Sequence, residues 1–408
     1  MEGRPRAQVP CMAGAAHARM MRFPGKLALQ QRVFPLYRAP FFDLLASACE
    51  EGMSLFTGLP RPIEGIAVAD KLQVASYRLG SNIHLLNGNF YLCYQRGLMK
   101  WLTEQNPDAL IVEANPRYLS TPSAVSWMRA RKKPVIGWGL GSPPLGPPHF
   151  LGKWGGSEGG VAGLRQTKRL SFLRQFDALI AYSQRGADEY AQLGFPHDKI
   201  FVAHNSVSPA PSSPLPSRPS SFDPSTLPSV AGQAIRPSIL FVGRLQARKR
   251  VDLLLRACSQ LESKPRLIIV GDGPERASLE SLAREIYPSA EFIGARHGAE
   301  LKAYFMEADL FVLPGTGGLA VQEAMSYGLP VIVAQGDGTQ DDLVRKENGW
   351  QIPPDDFDSL VLTIKDALSD VARLRKMGAE SYRIVAEEIN IENMVEVFVK
   401  ALNTLTRK

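Results

Sequence analysis

Between residues 238 and 335 the chain repeats one unit: a short apolar run without polar alternation, then an amphipathic stretch of helical spacing. The apolar runs are SILFVG (238–243), RLIIVGDG (266–273), EFIG (291–294), DLFVLPG (309–315) and PVIVAQ (330–335). A strand without polar alternation is buried on both faces, and alternation with helices makes the sheet parallel. VDLLLRACSQL (251–261), PERASLESLAREI (274–286), ELKAYFMEA (300–308) and LAVQEAMSYG (319–328) supply the helices, and two further helical stretches cover 358–388 and 393–405. The spacing predicts a doubly wound α/β domain.

The first half is less regular but of the same class. Strands are expected at 27–34, 108–115, 134–139, 177–183 and 199–205, with helices at 40–51, 90–105, 122–132, 161–175 and 184–193. A Pro- and Ser-dense segment, 209–237, cannot bury enough apolar surface to offset its ordering entropy. The expected order is a tail or leader (1–25), a first domain (26–208), this linker, a second domain (238–390) and a C-terminal helix (391–408) packing back toward the first domain. Two open parallel sheets of this kind face each other across a cleft, with ligands beyond the carboxyl ends of the strands.

Composition narrows the class. No apolar run is long enough to span a bilayer, and 45% apolar residues exclude wholesale disorder. The four cysteines are too scattered for a disulfide scaffold or a metal site, and are read as reduced and structural, in a cytoplasmic protein. The net charge of +7 is uneven: residues 1–208 hold 24 Lys and Arg against 14 Asp and Glu, and residues 209–408 hold 23 against 26. A basic half suggests an anionic partner there. No nucleic-acid-binding module accompanies the charge, so no nucleic acid is expected.

Three segments carry chemistry. FVGRLQARKRVDLLL places Gly243 after a strand, then Arg244 and Lys249 before a helix. Free helix-start amides and two cations suit a diphosphate. VGDGPERASL has Gly271 and Gly273 at a strand end, which is both a shortened phosphate-loop pattern and an ordinary turn. LPGTGGLAVQEAMSYGLPVI has Gly315, Gly317 and Gly318 after a strand, then a helix from Leu319 with Glu323 one turn in. A carboxylate there can accept hydrogen bonds from vicinal hydroxyls of a ribose.

Taken in order, these segments resemble the donor half of a GT-B glycosyltransferase, specifically retaining glycosyltransferase family 4, across about residues 238–370. That family shows F-V-G-R-L-x-x-x-K-G, G-x-G-P and E-G-x-G-L-x-x-x-E-A-M-A-x-G-x-P-V segments, and AYSQRGADEYAQLGFPHDKIFVAHNSV (181–207) resembles its domain-junction segment. The resemblance implies two Rossmann-like domains, an acceptor-binding first half and a nucleotide-sugar-binding second half. Arg244 and Lys249 would hold the departing diphosphate. Glu323 would bind the ribose, Leu319 and Ala320 would offer backbone amides, and Gly294 and Ala295 would line the base. Gly243, Gly315 and Gly318 complete the implied donor set. No metal ion and no other cofactor is implied.

Three departures stand out. The family's first glutamate, eight positions before Glu323, falls on Gly315. Arg250 replaces the glycine after the lysine. The glycine-rich loop after the first strand is absent, and QQRVFPLYRAPFFDLL (30–45) stands in its place, either facing the cleft or forming a buried turn. Acceptor-side candidates by position are His149 in a Pro/Gly loop, Arg38, and Asn115 with Glu113, Arg117 and Tyr118 at a strand end. Two basic clusters, Arg129, Arg131, Lys132 and Lys133, and Arg165, Lys168, Arg169 and Arg174, suit either a solvated face or an anionic membrane.

The expected activity is transfer of a hexose from a nucleotide-sugar to a saccharide or lipid-linked acceptor, with retention, in cell-surface polysaccharide or glycolipid assembly, with peripheral contact at the inner membrane face. A catalytically degenerate nucleotide-sugar-binding scaffold, motivated by Gly315, and another GT-B enzyme such as a sugar-nucleotide epimerase are the alternatives.

Overall fold

The computed structural model describes residues 21–142, 160–215 and 236–406, except Gly318 and Asp337. Residues 1–20, the loop with His149, most of the Pro/Ser segment and Gly318 lie outside the described residues.

The chain builds two parallel sheets flanked by helices. The first has seven strands: β1 (Leu27–Val33), β2 (Met53–Gly58), β3 (Ser76–Leu79), β6 (Ala109–Glu113), β7 (Val135–Gly139), β8 (Ala178–Ala181) and β9 (Ile200–Val202), in the order β3-β2-β1-β6-β7-β8-β9. Between β3 and β6 lies an antiparallel hairpin, β4 (Ser81–Leu85) and β5 (Leu92–Arg96). The second sheet has six strands: β10 (Ser238–Val242), β11 (Arg266–Val270), β12 (Glu291–Gly294), β13 (Leu310–Leu313), β14 (Val331–Ala334) and β15 (Gly349–Ile352), in the order β12-β11-β10-β13-β14-β15. In each sheet the order reverses beside the first strand, between β1 and β6 and between β10 and β13. Crossovers leave opposite faces there, and a crevice opens at the carboxyl ends.

The apolar runs are buried on both faces, as their lack of alternation requires. Leu240, Phe241, Ile268, Ile269, Phe311, Val312, Ile332 and Val333 are fully buried in the second core. Ala109, Ile111, Ile136 and Ile180 do the same on one face of the first sheet. Some expectations needed correction. MSLFTG is the fully buried strand β2, hidden from pattern reading by its Ser, Thr and Gly. Residues 92–96, expected as the start of a helix, are strand β5, and the helix covers only Leu98–Gln105. Cys93 and Gln95 are buried while Tyr94 and Arg96 are exposed, a period of two that excludes a helix there. The long stretch 358–388 is broken at Asp370, whose side chain accepts a hydrogen bond from the Arg373 amide and caps a new helix.

The last helix, Ile391–Thr406, returns to the first domain. Ile391, Met394, Val395, Phe398, Val399 and Leu402 form its apolar stripe and are buried with Phe41, Phe42, Leu45 and Trp138. Phe398 packs 5.1 Å from Phe41 and 5.0 Å from Trp138, ring centre to ring centre. The first sheet is therefore completed by the far end of the chain. No helix among the described residues is long and apolar enough to cross a membrane.

Phe398→Ala should cost about 3–5 kcal/mol, the range for emptying a buried aromatic site. The loss should appear as weaker amide-exchange protection in β1, β6 and β7, with the second sheet unchanged. Equal loss in both sheets would show that the two cores unfold together.

Candidate functional site

The donor-side residues follow β10 and β13, the two neighbours at the reversal of the second sheet. After β10 the chain passes Gly243 and Arg244 and forms a tight turn, Ala247–Lys249. After β13 it passes Pro314, Gly315, Thr316 and Gly317 into the helix Leu319–Ser326. The two loops are bonded together: Thr316 donates its amide to the Arg248 carbonyl at 3.0 Å, and Lys249 Nζ donates to the Thr316 carbonyl at 2.7 Å. Arg244 reaches the other domain, where Nη1 donates to the Gly65 carbonyl at 2.6 Å. The Arg244 contact is to a neutral carbonyl, so an incoming anion need not displace a carboxylate to win that cation. Arg250 differs: it is tied to Asp252 and Asp355.

This geometry explains two of the departures. At Gly315 a Cβ would stand 2.2 Å from the Arg248 carbonyl oxygen and 2.6 Å from Lys249 Cα. Neighbouring backbone occupies the place a side chain would take, so no glutamate fits while the loops are bonded. Arg250, where the family has glycine, adopts φ 53° and ψ 39°. That is the left-handed region glycine tolerates best, and the two aspartates hold the arginine in it.

Glu323 lines an 880 Å³ cavity between the domains, with Leu36, Tyr37, Lys302 and Tyr327. Burial pushes its carboxyl above the ordinary value, and the positive influence of His297 opposes this. The preceding residue, Gln322, is 1% exposed. Its Oε1 accepts the Val207 amide at 2.8 Å, and its Nε2 donates to Ser206 Oγ and to the Ile389 carbonyl, both at 2.6 Å. This buried amide fixes the Glu323 helix to both chain crossings between the domains. Leu319 and Ala320 open that helix and are half-buried. Gly294 ends β12, where its carbonyl accepts the Gly271 amide at 2.9 Å, and Ala295 follows, exposed.

On the first sheet the reversal between β1 and β6 carries a polar network. Glu113, at the end of β6, accepts the Arg32 amide at 2.5 Å. The Arg32 side chain pairs with Glu64 at 2.9 Å, next to the Gly65 that Arg244 contacts. Gln30 donates to Gln95, and Gln95 donates to Asn82 at 3.0 Å. Glu113 and Asn115 line a 540 Å³ cavity with Tyr37, Arg38, Arg117 and Trp138. Burial pushes the Glu113 carboxyl up to about 7, against the Arg32 amide and charge that favour ionisation. Tyr37 borders both cavities. The indole N–H of Trp138, itself 1% exposed, has no hydrogen-bond partner among the described residues.

Arg38 sits in this cavity wall but is only 5% exposed. It donates to Asn205 and to the Ser206 carbonyl, and four rings surround it: Tyr37, Phe41, Trp138 and Tyr182 at 5.5–5.9 Å. It clamps the first helix to the domain junction. Asn115 Oδ1 accepts the Arg117 amide at 3.1 Å and shapes its own turn. Bulky side chains from 36–40 thus stand where the family's glycine-rich loop would pass. Gln322 and Glu64 escaped sequence reading, because nothing in local spacing marks a contact made across more than thirty residues, whereas Arg32 lies in the 30–45 segment expected to face the cleft or form a buried turn.

Gly315→Ala should destabilise the second domain by about 1–3 kcal/mol, the usual cost of overpacking, read as a lower thermal midpoint. An unchanged midpoint would show that the loops part freely. Glu113 gives a pH test. Its folded pKa is raised, so the stability it contributes is complete below its ordinary pKa and is lost as pH rises through about 7. Glu113→Gln should therefore raise the thermal midpoint at about pH 8 and leave it unchanged at about pH 4.

Residues 233–384 match the family model for glycosyl transferases group 1. A GDP-mannose-dependent alpha-mannosyltransferase of Mycobacterium tuberculosis is 36% identical over 151 residues, which are 36% of this chain and 38% of that protein. A putative colanic acid biosynthesis glycosyltransferase of Escherichia coli, WcaL, is 27% identical over 201 residues, 46% of each protein. The chain spans less than half the length of these curated relatives. Among solved structures, Anabaena Alr3699/HepE in complex with UDP superposes with a TM-score of 0.64 at 17% identity, covering 93% of this chain and 99% of that one. The lipopolysaccharide outer core galactosyltransferase WaaB superposes with a TM-score of 0.61 at 17% identity, covering 92% and 99%. The two reversed parallel sheets give this chain the GT-B fold of these glycosyltransferase structures, and its second domain matches the glycosyl transferases group 1 model and resembles glycosyltransferase family 4.

Proposed function

We propose that the protein transfers a hexose from a nucleotide-sugar to an acceptor hydroxyl. One observation carries this reading: Arg244 and Lys249 follow β10, Glu323 follows β13, and the two strands are neighbours at the reversal of the sheet. A nucleoside diphosphate laid across that crevice would meet both cations. The base would lie by Gly294 and Ala295, the ribose on Glu323, and the phosphates near the amides of Leu319 and Ala320. As the bond from the anomeric carbon to the diphosphate breaks, negative charge grows on the leaving oxygen, and Arg244 and Lys249 neutralise it in place. The acceptor oxygen forms the new bond to the anomeric carbon. Its proton passes to the departing diphosphate on the same face of the sugar, which gives retention, as the family resemblance implies.

Glu113 and Asn115 would receive the acceptor in the neighbouring cavity, with ionised Glu113 accepting a hydrogen bond from the reacting hydroxyl. The acceptor we propose is a saccharide or a lipid-linked hydroxyl, in cell-surface polysaccharide or glycolipid assembly at the cytoplasmic face of a membrane. Similarity to a putative glycosyltransferase of colanic acid biosynthesis and to a phosphatidylinositol monomannoside mannosyltransferase supports that class. The charge for the leaving group comes from arginine, lysine and helix amides, so the reading includes no metal ion.

Gly315 favours a second reading, a scaffold that binds a nucleotide-sugar without turning it over. A panel of UDP-, GDP- and dTDP-sugars separates the two. One donor should raise the thermal midpoint and be hydrolysed slowly without acceptor. Arg244→Ala and Lys249→Ala should each lower hydrolysis by about 10²–10³-fold, the usual cost of losing one charge-stabilising group. Binding without hydrolysis would leave the scaffold; a donor response that survives both substitutions would overturn the assignment of the site.

A further inference from the structure

The hairpin β4–β5 is built inside out. Its inward side chains are polar. Asn82 donates to the carbonyls of Arg32 and Leu59 at 2.7 and 2.9 Å, and Gln95 donates to the Gln31 carbonyl at 3.1 Å. Its outward side chains are apolar: Ile83 lies opposite Tyr94, Leu85 lies next to the turn, and all three are exposed. The tip adds Leu86 at 64% and Phe90 at 77% exposure, and Leu79 and Leu59 adjoin it, also exposed. Isolated exposed apolar residues are ordinary, but a run of them on one face marks a contact surface.

Charge around the face identifies the partner. From Lys71 to Thr103 there is no Asp or Glu, and Lys71 and Arg96 are exposed; Arg78 and Lys100, also exposed, both pair with Glu104, at 2.9 and 4.0 Å. Arg96 lies opposite Ser81 on the outward face. An apolar patch with an aromatic tip and Arg96 on the same outward face complements an anionic lipid surface, whose headgroups attract the cation while the apolar tip enters the boundary. A water-soluble acidic partner would meet the charge but not the aliphatic tip.

Position supports the same partner. The hairpin stands at the carboxyl ends of β1 and β2, beside the acceptor cavity. Cys93 donates its amide to the Arg117 carbonyl and accepts from the Leu119 amide, both at 2.9 Å, so the hairpin is bonded to a loop that lines the cavity. The first basic cluster, Arg129 to Lys133, is placed otherwise, whereas Arg169 of the second lines the cavity itself. Lys133 precedes β7, at the amino ends of the strands, and pairs with Asp108; Arg131 lies 3.7 Å over the Trp127 ring; Arg129 donates to the Arg174 carbonyl. Docking there would turn the cleft away from the lipid.

We propose that the outward face of the β4–β5 hairpin docks this protein on an anionic bilayer and brings the acceptor cavity to the lipid surface. The inference rests on the glycosyltransferase reading for its purpose, but docking itself needs no donor. The test is flotation of the full chain with vesicles of phosphatidylcholine and phosphatidylglycerol, and with phosphatidylcholine alone. The wild type should float with the mixed vesicles and much less with the neutral ones. Leu86→Asp with Phe90→Asp should weaken flotation by at least about tenfold, since two apolar side chains leave the boundary, with an unchanged thermal midpoint. Arg131→Glu with Lys132→Glu should float as the wild type does. Three results would overturn the proposal: no flotation of the wild type, flotation unaffected by the hairpin change, or a dimer by light scattering that the hairpin change dissolves. The last would assign the face to a second copy of the chain. Loss of donor hydrolysis elsewhere leaves flotation untouched, so the two readings fail separately.

Discussion

Everything functional in this molecule depends on the reversal of strand order beside β1 and β10. Parallel strands need crossovers, and where successive crossovers change side, the two neighbouring loops part. In the second sheet that gap receives Arg244 and Lys249 from one side and the Glu323 helix from the other. In the first it receives Arg32 and Glu113. The two gaps communicate through Arg244, which reaches the Gly65 carbonyl beside Glu64, the partner of Arg32. Arg244, proposed above to meet a diphosphate, is thus tied to the first domain.

The loss of the family's first glutamate is a packing event as much as a chemical one. The turn 248–249 fills the place a side chain would take at Gly315, with a backbone hydrogen bond and the lysine ammonium holding the two loops together. The lysine is thereby oriented by the loop that carries the glycine.

The first domain shows an opposite economy. Its polar side chains Gln30, Gln95, Asn82, Arg32 and Glu113 are spent inward, and the hairpin strands that carry Asn82 and Gln95 turn apolar faces outward. Buried polar groups must be paired. Here the pairing extends from the sheet reversal to the hairpin, so the cavity wall and the outer face are parts of one structure.

The sequence by itself determined the fold class and where Arg244, Lys249 and Glu323 stand relative to the strand ends. Apolar runs such as RLIIVGDG are local and unbroken, and Arg244, Lys249 and Glu323 sit at fixed short distances from strand ends. It was silent on β2, because MSLFTG is buried by its neighbours rather than by its own hydrophobicity, and it misassigned 92–96, where cross-strand pairing with 81–85 overrides a helical pattern. Arg38 looked like a ligand contact from its place in the chain, but only the tertiary structure surrounds it with four rings and uses it as a clamp. The same holds for Gln322 and Glu64. Strand and helix periods are written in neighbouring residues, whereas contacts between residues 32 and 64, 65 and 244, or 322 and 389 exist only after the chain has closed on itself.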